Sequence, residues 1–128
     1  MIRLLALLSL VILSLATPAL AKGAATVKLP PDAAIAKAAT PAFLAELVQA
    51  NVIAMNCPGF GLDDGEWALV TGTADKVAAA LGISAAAFDD RFYTPAFAAL
   101  EDPEACDTRG PKIAPLINRL KSMGGSPG

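Results

Sequence analysis

Few residues in this chain have the types and spacing to do chemistry. They are the two cysteines Cys57 and Cys106, the adjacent carboxylates Asp89 and Asp90, and the acidic run Asp63-Asp64-Gly65-Glu66. The sequence has no histidine, which removes the commonest general base near neutral pH and the commonest metal ligand together. Neither cysteine belongs to a Cys-x-x-Cys motif, so thiol redox chemistry is not expected. Two cysteines behind an export signal instead predict one structural disulfide, Cys57–Cys106. Neighbouring residues on a helix point about 100° apart, so Asp89 and Asp90 do not converge on one substrate proton and read as a solvated face. The oxygens of Asp63, Asp64 and Glu66 lack the alternating spacing of a calcium loop and suit a helix start. Gly59-Phe60-Gly61 is no phosphate loop, because no strand precedes it and no lysine with serine or threonine follows in register. Ser84, Ser122 and Ser126 lie in no nucleophile elbow. No catalytic residue, metal site or cofactor is therefore expected, and the chain reads as a non-enzyme.

Binding is what remains. The candidate surface is Phe60, held between two glycines, the lone Trp67, and Tyr93. Each has a more ordinary role to weigh against display. Phe60 would plug the core beneath its turn, Trp67 falls on an apolar helix stripe, and Tyr93 belongs to an aromatic half of the core with Phe88, Phe92 and Phe97. An exposed aromatic set would serve a protein partner, and a hollow core a small apolar ligand.

The elements that must position these residues are helices. Over Thr40 to Cys57, Phe43, Leu47, Ala50, Ala54 and Cys57 recur at steps of four and three, with Thr40 as N-cap and Pro41 at the first helical position. Asp63 and Glu66 have capping-box spacing ahead of the stripe Trp67, Val70, Ala74, Val77 and Leu81. Gly72 interrupts that stripe at a cost of about 1 kcal/mol, and the helix is read as continuous with a soft centre. Ser84 caps a third helix through Tyr93, which Pro95 must kink or end. A short helix over Pro95 to Glu101 then turns Phe97 and Leu100 inward. Asp102-Pro103 starts a turn carrying Cys106, and Ile113, Leu116, Ile117, Leu120 and Met123 mark a final amphipathic helix from Lys112 to Met123. Residues 22–39, with Leu29-Pro30-Pro31 and much alanine, read as a largely irregular leader with one helical turn after Asp32. Residues 124–128 read as a frayed tail. The fold class is all-α: a bundle of four to five helices over 40–123, stapled by one disulfide.

Arg3, the apolar run Leu4 to Leu15 and the small residues Ala19 and Ala21 fit a cleavable signal over residues 1–21, directing the chain to the periplasm or outside the cell. The run is too short for a stable membrane span once Thr17 and Pro18 intervene. Cleavage removes Arg3 and leaves nine basic against twelve acidic residues. With that balance and no basic cluster in the sequence, nucleic acid and anionic lipid surfaces are not expected partners.

The segments Asn51 to Cys57 (NVIAMNC), Leu81 to Ser84 (LGIS), DPEAC before the last helix and PKIAPLINRL within it resemble a group of small exported proteins of unassigned function. The resemblance implies an all-helical fold with one disulfide and supplies no activity. In outline the chain is also similar to the periplasmic acid-stress chaperone of the HdeA type, small, helical and closed by one disulfide. That resemblance implies a carboxylate-controlled transition at low pH.

Overall fold

The computed structural model describes residues 26–128, and the export signal expected over residues 1–21 lies outside them. The chain there is helical: α1 (Asp32–Ala38), α2 (Pro41–Asn56), α3 (Asp64–Ala80), α4 (Ala85–Phe88), α5 (Thr94–Ala98), α6 (Ala105–Arg109) and α7 (Ile113–Ser122). A π-helical turn, Asp89–Tyr93, joins α4 to α5, and a 3-10 turn, Gly110–Lys112, joins α6 to α7. These joints fuse the short pieces, so five helical rods make up the all-α bundle. Among the described residues there is one isolated antiparallel bridge, Lys28 with Ser126, and no strand.

The central helix is α2, in contact with α3, α5, α6, α7 and the π turn. The Thr40 hydroxyl accepts the Phe43 amide at 3.1 Å, and Pro41 occupies the first turn, where its missing N–H has no helical partner to lose. Phe43, Leu44, Leu47, Val48, Val52 and Ile53 are all buried. Each such side chain contributes about 2 kcal/mol by leaving water. The disulfide Cys57–Cys106, with Cα atoms 5.4 Å apart, ties the end of α2 to α6 and closes a loop of 49 residues.

The expected capping box opens α3. Asp63 accepts the Glu66 amide at 2.7 Å, and the Glu66 carboxylate accepts the Asp63 amide at 3.3 Å. The helix then runs unbroken through Gly72. Gly72 is matched by a neighbour: a Cβ there would stand 2.9 Å from a Leu29 methyl. The leader thus lies against α3 where a side chain is missing. Pro30 is buried, as is Ile35 of α1, which packs with α3. The leader is accordingly more ordered than its composition suggests, because it borrows apolar surface from α3 rather than burying its own.

The tail also differs from its expectation. Gly124, at φ +98°, and Gly125 close α7 through bonds from Gly124 N to Lys121 O and Gly125 N to Leu120 O, the paired bonds of a Schellman cap. Ser126 then exchanges two backbone hydrogen bonds with Lys28, at 2.8 and 2.7 Å. Pro127 O lies where a Cβ on Gly65 would have to stand. Leader and tail are therefore paired over α3.

Pro95 neither ends nor breaks its helix. The Thr94 N–H donates five residues back to Asp89 O, and this wider turn admits a ring that has no N–H to give. The face bearing buried Phe92 continues through buried Ala96. Phe97, about 100° further round, is turned outward, against the expectation that it faces the core.

Candidate functional site

Most of α2 is apolar, which makes Asn51 conspicuous: it and Thr73 are the buried polar side chains among the described residues. Thr73 spends its hydroxyl on Leu69 O within its own helix, at 2.7 Å. Asn51 reaches outward to two other helices instead. Its Nδ2 donates to Tyr93 Oη at 3.1 Å, and its Oδ1 accepts from Trp67 Nε1 at 3.0 Å. A buried amide left unpaired costs about 1–3 kcal/mol, so these two bonds fix where both rings sit.

Two of the three sequence-predicted binding residues, Trp67 and Tyr93, are thereby brought together around a third that the sequence reading missed. Trp67 is 47% exposed rather than core. The buried stripe of α3 begins further along, at Leu69 and Val70, and the indole lies at its rim with the ring N–H held by Asn51. Tyr93 is half-buried and packs edge-on to Phe88, with centroids 5.2 Å apart. Phe97, at 6.4 Å from Tyr93, extends the row into solvent at 48% exposure. Met55, one turn beyond Asn51 on α2, is 65% exposed. These three, Met55, Trp67 and Phe97, are the large apolar side chains that the described structure leaves exposed. Asp64, Asp90 and Glu101, three or four residues along the chain from Trp67, Tyr93 and Phe97, are exposed as well.

Phe60 is held elsewhere. Its ring lies against the backbone at Gly110, where a Cβ would collide with it, and with Glu66, Ile117 and Lys121 it lines a cavity of about 300 Å³. Asp89 and Asp90 are exposed on the π turn. Among the described residues no group of three acidic, cysteine or histidine side chains is placed to hold a metal. Asp32 of α1 lies against Lys76 of α3. The Lys76 ammonium, 2.6 Å away, hydrogen-bonds its carboxylate and draws it below the usual carboxylate range, and desolvation opposes this only weakly.

The chain matches no family model, no curated protein and no solved structure. Two signals pointed to the missed residues. Asn51 is a polar residue embedded in an apolar helix, and Met55 follows it by one turn on the same side.

Proposed function

We propose that this is an exported, non-enzymatic binding or accessory protein, and that the face formed by Met55, Trp67, Tyr93 and Phe97 docks a protein segment carrying apolar and basic side chains. The observation that carries the reading is an indole half exposed to water yet held by a buried amide. A fixed, displayed aromatic loses little entropy on binding, which is the usual character of an interface anchor. The basic complement follows from the exposed carboxylates of Asp64, Asp90 and Glu101 along the same helices. The disulfide is compatible with an oxidising compartment, in keeping with a periplasmic or secreted location.

Selection of displayed random peptides on the oxidised protein tests the reading. The expected ligands combine basic and large apolar residues and shift the indole N–H resonance of the single tryptophan. They should bind the Trp67→Ala, Phe97→Ala double variant at least about tenfold more weakly. Peptides that bind both proteins equally would remove the reading. So would turnover of a substrate that is lost on changing Asp89 or Asp90.

A second reading, an acid-activated chaperone of the HdeA type, draws on the Asp32–Lys76 contact between α1 and α3. Protonation of Asp32 would release α1 and uncover the apolar surface around Ile35. Suppression of client aggregation at about pH 2–3 is its test, and no suppression there rejects it.

A further inference from the structure

A groove of about 620 Å³ lies between α2 and the α6–α7 rod. On α2 it is lined by Glu46, Gln49 and Ala50, roughly half a turn round the helix from Asn51 and Met55, so it is distinct from the aromatic face. Its volume is in the range of small-ligand sites, roughly 300–1,000 Å³. The floor is aliphatic, with Ala50, Ile113 and Leu116 buried beneath it. The rim is cationic. Arg109, Lys112 and Arg119 all line the groove, against the single carboxylate of Glu46.

The cations are unequally satisfied. Arg119 lies over the Phe43 ring at 4.1 Å and meets Glu46 at 3.3 Å. Neither Arg109 nor Lys112 has a carboxylate partner among the described residues, and residues 1–25 contain no aspartate or glutamate that could supply one. The Nε of Arg109 is buried without any hydrogen-bond partner, a position that an acceptor would ordinarily fill. The sequence carries the same bias: four of its ten basic residues follow Asp107, and none of its twelve acidic residues does. The linear spacing hid this cluster, because no two of the four are adjacent and the fold gathers three of them at one rim.

We propose that the groove binds a small amphiphilic anion, a carboxylate on an aliphatic body of medium-chain fatty-acid size. The carboxylate would sit among Arg109, Lys112 and Arg119, and the chain would lie on Ala50, Ile113 and Leu116. A free molecule fits better than a membrane surface, because the chain as a whole carries a net charge of −2 and an anionic bilayer repels such a body.

Calorimetric titration of the full oxidised chain with decanoate, against its neutral methyl ester, provides the test. Decanoate should bind saturably at one site, and the ester at least about tenfold more weakly. Arg109→Gln should weaken decanoate roughly tenfold. Glu46→Gln should strengthen it several-fold by releasing Arg119, a gain that no folding defect imitates. The indole resonance of Trp67 should stay in place throughout, which separates this site from the aromatic face. Equal affinity for acid and ester, no saturable binding, no gain in Glu46→Gln, or a preference for phosphatidylglycerol vesicles over free decanoate would each overturn the proposal.

Discussion

Glu46 and Asn51 lie five residues apart on α2 and face opposite ways, and the surfaces they belong to are made differently. On the Asn51 side the buried amide is paired at both ends, and the large apolar side chains of Met55, Trp67 and Phe97 are left in water. On the Glu46 side the floor is apolar, the rim is charged, and a guanidinium nitrogen is left without a partner. The first arrangement fixes its aromatic rings before anything binds. The second holds an unmet electrostatic demand that a ligand of opposite charge would satisfy. One helix can therefore present a rigid face for a macromolecule on one side and an anion-seeking slot on the other, because residues half a turn apart share backbone and nothing else.

The largest expected effect comes from cutting the staple beside the groove. Closing a 49-residue loop is worth about 4 kcal/mol in the chain-entropy model. The Cys57→Ser, Cys106→Ser variant should lose about that much in urea denaturation. Cys106 is three residues from Arg109, so decanoate affinity should fall further than peptide affinity at the aromatic face. Equal losses on both sides would show that the two surfaces depend on one cooperative core.

Gly110→Ala comes next. Its new Cβ meets the Phe60 ring, which is wedged against that backbone. Overpacking of this kind costs about 2 kcal/mol. The damage is confined to the α6–α7 joint, so the indole resonance should barely move while the urea midpoint falls. Asn51→Ala should cost about 1–2 kcal/mol and act on the other side. It frees the Trp67 N–H to water, so the indole resonance should shift even without ligand. Trp67→Ala, by contrast, removes a half-exposed ring and should cost less than Asn51→Ala, although it should weaken peptide docking. If Trp67→Ala proves the more damaging to stability, the ring is a core residue and the aromatic face loses its anchor.

The two surfaces were unequally legible in the amino-acid sequence. Helix starts could be read residue by residue, because Thr40, Asp63 and Ser84 each satisfy local amides within three residues. The disulfide was legible because only one pairing exists. The aromatic pattern turns Phe97 inward and leaves Trp67 open between display and core, since a three-four stripe gives a face but not where a neighbouring helix stops covering it; both side chains are exposed. The leader and tail are each poor in large apolar residues, which predicts irregular chain, and their order comes from one another and from Gly65 and Gly72 of α3. The basic rim had no local signature, since its members come from the α6–α7 rod and gain meaning only when α2 closes the groove.

The smallest effect belongs to a contact outside both surfaces and serves as their control. Asp32 is paired with Lys76 at 2.6 Å, with an exposed carboxylate, and its pKa is lowered by the hydrogen bond and the charge of that lysine. Because the folded pKa lies below the unfolded one, the pair contributes fully above the unfolded value. Its contribution is lost as pH falls through the folded value. Comparing the protein with Asp32→Asn in urea from about pH 5 down to about pH 2 should show a small advantage for the natural residue that disappears in acid. An exposed pair is well screened, so added salt should erase most of that difference at the upper end of the range. Neither decanoate affinity nor the indole resonance should respond to the substitution. If the natural protein instead opens cooperatively in acid and Asp32→Asn opens at higher pH, the α1 contact is a trigger, and the acid-activated reading displaces the rigid docking face.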